Sequence, residues 1–98
     1  MALEIFYTDG AKETLNLVYT FVAENFGPDI ADKFIKISEA KLNLISKNPF
    51  IYKSSIIDAS VRIAFVNKHI SLFYQLKENH IYLLFFWDNR EEPLFKTD

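Results

Sequence analysis

The stretch "IYLLFFWDNREEPLF", residues 81–95, decides how the rest of the chain must fold. Apolar residues run unbroken from Ile81 to Trp87. Charge then arrives through Asp88, Arg90, Glu91 and Glu92, and Pro93 ends any regular element. The apolar run reads as a strand with apolar side chains on both sides. Two similar segments precede it, "SVRIAFV" (60–66) and "HISLFYQL" (69–76), with only "NK" (67–68) and "EN" (78–79) as separators. Separators this short predict tight hairpins, so the last third of the chain reads as three antiparallel strands.

Two-residue turns set a register. Phe65 then faces Ile70, Ile63 faces Leu72 and Val61 faces Tyr74; across the next hairpin Ile70, Leu72 and Tyr74 face Trp87, Phe85 and Leu83. Side chains alternate along a strand, so these residues share one wholly apolar face, which must be the core face. The opposite face is mixed: Arg62 lies beside Phe73 and Leu84, Ser71 beside Phe86, and His69 opposite Asp88. On this register Phe73, Leu84 and Phe86 form an apolar strip. The 48–58 loop, the C-terminal tail, a homo-oligomer contact or a partner protein would have to cover it.

Upstream, "LEIFY" (3–7) reads as a short first strand. Thr8 or Asp9 can cap a following helix through a side-chain oxygen. Leu15, Val18, Val22 and Phe26, with Tyr19 beside them, share one face of that helix. "FGPD" breaks the chain: Gly27 can end the first helix and Pro28 can start the second. In the second helix Ile30, Phe34, Ile37, Ala40 and Leu44 form a stripe, widened by Ala31, Ile35, Leu42 and Ile45. "KNP" (47–49) ends it. The two helices should pack as an antiparallel hairpin over residues 11–45. The expected class is α+β: an N-terminal strand, the helical hairpin, and three antiparallel strands with the helices on one face.

The chain has 98 residues, which accommodates one domain, residues 1–98. Half of the residues are apolar and 16% aromatic, a supply large enough to serve an interface as well as a core. It has no cysteine, which excludes disulfides and thiolate metal sites and fits a reducing, cytoplasmic setting. The N-terminus does not have the pattern of a signal peptide, and no apolar run is long enough to span a bilayer. A net charge of -2 argues against a nucleic-acid-binding surface dominated by basic residues.

The ordered set of elements resembles the RelE/ParE toxin superfamily of bacterial type II toxin–antitoxin systems, which includes plasmid-stabilisation toxins. Three stretches carry the resemblance: "FGPDIADKFIKISEAKLNLISKNPFIYKSS", "VRIAFVNKHISLFYQLKENHIYLLFFWDNREEP", and within the latter "WDNREEP". The resemblance covers nearly the whole chain and implies a toxin without cofactor or metal. Its partner would be a cognate antitoxin, and its target either DNA gyrase (the ParE-like group) or mRNA on the ribosome (the RelE-like group). A non-toxic interaction module on the same fold is the third reading.

Metal-free RNA cleavage needs a base, an acid and cations to hold phosphorane charge. The candidate cations are Lys53, Arg62 and Arg90, and His69 is the candidate base, oriented by Asp88. Each also has a structural reading: Arg62 as a solvated or partner-pairing residue, and His69 with Asp88 as a polar pair at a hairpin mouth. Arg90 lies six residues past Leu84, roughly 20 Å along an extended strand, too far to share a phosphate with Arg62 unless the chain bends back. Nuclease members often carry a Tyr or His near the C-terminus. Here "EEPLFKTD" offers Phe95 and neither of those. The balance favours a ParE-like toxin or a non-catalytic relative. Arg62, Phe73, Leu84, Phe86 and Arg90 are the expected antitoxin-binding residues.

Overall fold

The computed structural model describes residues 2–56 and 58–90. Strand β1 (Ile5–Tyr7) leads into helices α1 (Asp9–Phe26) and α2 (Pro28–Lys47). Strands β2 (Val61–Phe65), β3 (Ile70–Lys77) and β4 (His80–Asp88) follow. The sheet order is β1-β4-β3-β2, with β1 parallel to β4 and the other pairs antiparallel. The α+β class and the helical hairpin are as the sequence leads one to expect; the parallel β1–β4 pair makes the sheet mixed. It also places β4 centrally, which is one reason for its apolar run. Ile81 and Leu83 are fully buried and Phe86 nearly so.

Local chemistry explains the helix ends. Thr8 caps α1, its hydroxyl accepting from the Ala11 amide at 3.1 Å. Gly27, at φ 96°, donates its amide to the Ala23 carbonyl at 3.1 Å and hands the chain to Pro28 at the start of α2.

The two hairpins behave differently. Glu78 and Asn79 adopt φ values of 54° and 63°, so a two-residue turn with both central residues left-handed forms without glycine, and Lys77 pairs with His80 as expected. The β2–β3 connection is longer than expected. The Asn67 side-chain oxygen accepts from the amides of His69 and Ile70, at 2.8 and 2.9 Å, and builds a side-chain-closed loop. Phe65 therefore pairs with Ser71, not Ile70, and every residue of β2 changes face. Ala64 and Val66 point to the helices and are buried; Val61, Ile63 and Phe65 lie on the opposite face, where Phe65 is 58% exposed.

A bulge makes a second correction. Tyr74 pairs with Leu83 as expected, but Phe73 pairs with Phe85, leaving Leu84 as the extra residue. Beyond it the faces of β4 exchange. Phe86 turns into the core, 2% exposed, and meets Phe34 of α2 edge-on at 6.0 Å. Phe85 goes to the helix-free face and stacks on Phe73 at 4.4 Å. Thus Leu72 is core as the alternation requires, whereas Ile63 and Phe85 are half-buried on the other side.

The stripe of α2 is also rotated from the expected one. Ala31, Phe34, Ser38, Leu42 and Ile45 are its buried members, while Ile30 and Leu44 are 49% and 38% exposed and Ala40 is exposed. Ser38 sits at the centre of the buried line, which is why reading apolar residues alone displaced the stripe. On α1, Ala11, Val18 and Val22 are buried, and Phe26 is 55% exposed.

The bulge is held by α1. β1 pairs with β4 only as far as Leu83, so the β4 edge beyond it needs other partners. The Thr8 hydroxyl lies 2.8 Å from the Leu83 carbonyl and 3.0 Å from that of Leu84. The Thr14 hydroxyl donates to the Gly10 carbonyl at 2.6 Å and accepts from the Phe86 amide at 2.8 Å. Such close approach requires glycine at position 10, where a Cβ would stand 2.9 Å from the Leu84 carbonyl oxygen.

Three substitutions test this arrangement by urea denaturation. Gly10→Ala should destabilise the protein by about 1 kcal/mol, the reverse of the ordinary helix-propensity gain. Thr14→Val should cost about 1–3 kcal/mol by orphaning the Phe86 amide. Phe86→Ala should cost about 3–5 kcal/mol as a core truncation.

Candidate functional site

Arg62 is not on the open face. It pairs with Tyr74 on the helix side of β2, and its guanidinium donates to the Tyr52 carbonyl while lying 4.9 Å from the centre of the Phe50 ring. The residues around it form a strap along the outer edge of β2. Ser54 bridges to Arg62, the Ser55 amide donates to the Val61 carbonyl at 2.6 Å, and the Ile63 amide donates to the Lys53 carbonyl at 3.4 Å. The Tyr74 hydroxyl donates to the Pro49 carbonyl at 2.9 Å, and the Lys41 ammonium donates to the Tyr52 hydroxyl at 3.3 Å. Burial pushes the Tyr74 phenol up to about 12, against the opposing pull of Arg62. Arg62 thus works as an internal clamp for the strap, and Lys53 is an exposed residue on it.

Arg90 stands at the other end. It forms a two-pronged pair with Asp88, Nε to Oδ1 at 2.9 Å and Nη2 to Oδ2 at 2.7 Å, and its own amide also donates to Oδ1 at 2.9 Å. Its guanidinium lies over Phe21 at 5.1 Å and Phe26 at 5.8 Å, both on α1. The hydrogen bond from Arg90 holds the Asp88 carboxyl below its usual range.

This arrangement displaces the expected His69–Asp88 pair. Ile70, not His69, stands opposite Asp88, whose two carboxylate oxygens are engaged by Arg90. His69 contributes backbone instead, its carbonyl accepting from the Asn89 amide at 2.6 Å. His80 lies near the rings of Phe6 and Tyr82, with centroids 5.3 and 6.5 Å away.

The four chemical candidates therefore do not converge. Arg62 sits opposite Tyr74, whereas Arg90 follows Asp88, which is opposite Ile70; those β3 positions are four residues apart, roughly 13 Å. The expected binding strip is also divided. Phe86 is core, Leu84 is the bulge residue under the start of α1, and Phe73 is 3% exposed. The segment "EEPLFKTD" with Phe95 lies outside the described residues.

One apolar groove was not anticipated. Thr14, Leu17, Val18 and Phe21 of α1 face Phe86, Trp87 and Asp88 of β4 across about 290 Å³. Leu17 is 69% and Phe21 44% exposed. On the far side of the Arg90 contact, Val22, Phe26, Ile30, Asn67, His69, Ile70 and Arg90 line a second hollow of about 230 Å³. The signal was present in Leu17 and Phe21, spaced four apart on α1 and off its core stripe.

A strand, a helical hairpin and three further strands, with the helices on one face of the sheet, make a fold similar to that of three solved structures. A chain of the chromosomal ParDE toxin–antitoxin system of P. aeruginosa superposes with a TM-score of 0.75 at 18% identity, covering 89% of this chain and 96% of its own. A chain of the RelBE2 toxin–antitoxin complex of Mycobacterium tuberculosis gives 0.62 at 14% identity, covering 90% and 99%. The YoeB dimer of Staphylococcus aureus gives 0.62 at 20% identity, covering 87% and 94%. No protein-family model matches the sequence, and no curated sequence matches it significantly.

Tyr74 yields a test of the strap. Its folded-state pKa near 12 exceeds the ordinary 10.0. Its stabilising contribution is therefore complete below about pH 10 and is lost as pH rises through the folded value. Urea midpoints measured across this range should fall above pH 10, and fall less steeply in Tyr74→Phe.

Proposed function

We propose that this protein is the toxin of a bacterial type II toxin–antitoxin pair, acting in the cytoplasm, and that it is ParE-like, with DNA gyrase as its target. The toxin reading is carried by the fold shared across nearly the whole chain with chains of two toxin–antitoxin systems. The higher TM-score to the ParDE chain supports the ParE-like assignment. So does the engagement of two of the three candidate nuclease cations: Arg62 holds the strap, and Arg90 is bound by Asp88 and seated on Phe21 and Phe26. Ribosome-dependent mRNA cleavage would require Arg62 and Arg90 to leave these contacts and meet at one phosphate.

The geometry of α1 and β4 supports an antitoxin site between them. A strip of Phe73, Leu84 and Phe86 is replaced by the groove between α1 and the end of β4, with Phe86 in its lining, Leu17 and Phe21 on its rim, and Arg90 at one end. An antitoxin segment presenting apolar side chains to the groove and an acidic residue to Arg90 fits it. Without antitoxin, the same rim is the contact for a second copy.

Expression from an inducible promoter should arrest growth, and co-expression of the neighbouring reading frame should restore it. Purified protein should inhibit gyrase supercoiling and leave ribosome-bound mRNA intact; mRNA cleavage lost in Arg62→Ala or His69→Ala would select the RelE-like reading instead. Leu17→Asp, at an exposed position, should keep the native unfolding midpoint and weaken antitoxin binding by about tenfold or more, or about 1.4 kcal/mol.

A further inference from the structure

The strap at the β2 edge carries features that the toxin reading does not use. Phe50, Ile51 and Ile56 are 69%, 52% and 86% exposed, a concentration of large apolar side chains on one short segment. The backbone beneath them is tied down. The Ile51 amide donates to the Asn48 carbonyl at 3.1 Å, Tyr74 holds the Pro49 carbonyl, Arg62 holds that of Tyr52, and the Asp58 amide donates to the Ser55 hydroxyl at 3.0 Å. Exposed apolar groups on a held backbone lose little freedom on binding, which is the property of a preformed contact surface.

The charge beside these groups is positive. Lys41 stands over the Tyr52 ring at 5.9 Å, Lys53 is exposed between Ile51 and Ile56, and Arg62 lies against Phe50. The nearest acid on the segment, Asp58, is turned to Ser60, its Oδ1 accepting from that residue's amide at 2.9 Å and hydroxyl at 2.7 Å. Cations interleaved with apolar side chains complement a segment that alternates carboxylates with aliphatic or aromatic residues. We infer that the strap is a second protein-docking surface, and that its occupant is an acidic, apolar segment of a partner protein. In the sheet order β1-β4-β3-β2 it lies on the opposite edge from β1 and is separated from β4 by β2 and β3, so one partner segment can occupy it while the α1–β4 groove is filled. The inference does not rest on the toxin reading and survives its failure.

The test uses the full chain and a short fluorescein-labelled peptide alternating Glu with Phe and Leu, read by fluorescence anisotropy. A matched peptide with Lys for Glu and vesicles of phosphatidylglycerol serve as competing probes. In a Leu17→Asp background, which disables the α1–β4 groove, saturable binding of the Glu peptide is expected, weakened roughly tenfold or more by Ile56→Asp and by Lys53→Glu. Circular dichroism melts of Ile56→Asp and Lys53→Glu should match the parent, since both side chains point to solvent. No saturable binding, equal binding of the Lys peptide, binding unchanged in both strap variants, or preference for the vesicles would each overturn the proposal.

Discussion

Two threonine hydroxyls hold the architecture together. β4 is the central strand, yet β1 pairs with it for only three residues, and the edge beyond Leu83 would otherwise be left unpaired. Thr8 and Thr14 close that edge from α1, one at the carbonyls of Leu83 and Leu84 and the other at the Phe86 amide. A backbone group buried without a partner costs about as much as a lost hydrogen bond, so these contacts set where α1 can lie. Gly10 allows the helix to approach closely enough for both to form. The inward turn of Phe86, the groove beside it and the seat of Arg90 on Phe21 and Phe26 all follow from that placement.

Much of the fold was legible in the sequence because the relevant signals were local. The helix cap at Thr8, the Gly27–Pro28 break and the turn at Glu78–Asn79 each depend on a few adjacent residues. Register was harder because it is cumulative. One extra residue in the Asn67 loop reversed β2, and one at Leu84 reversed the end of β4. The changes carried Arg62 and Asp88 to the helix side but otherwise exchanged one apolar residue for another. Val61, Ile63 and Phe65 are as apolar as Ala64 and Val66, and Phe85 is as apolar as Phe86. Alternation specifies register only where the two faces differ in polarity, and these strands are apolar on both.

The site was less legible for a related reason. Arginine in a strand suggests anion chemistry, yet both arginines here are used against rings and backbone or carboxylate oxygens. Arg62 is clamped by Phe50 and the Tyr52 carbonyl, Arg90 by Phe21, Phe26 and Asp88. Those rings are distant in sequence and give no local sign of the pairing. Leu17 and Phe21 were visible as an apolar pair, but their meaning depends on where β4 ends relative to α1.

The parallel pairing of β1 with β4 also bears on how the chain is made. Ile5 pairs with Ile81, and the Thr8 hydroxyl reaches carbonyls 75 and 76 residues downstream. The helical hairpin and the β3–β4 hairpin can form from neighbouring residues, but β1 has no strand partner until β4 has been synthesised. Contacts of such long sequence separation form late and slowly. On the ribosome, α1 therefore emerges with Leu17, Phe21 and the rest of its β4-facing side uncovered, and the groove takes shape only after the last strand has left the exit tunnel. Completion of the fold and creation of the α1–β4 groove are the same event, and both wait for β4.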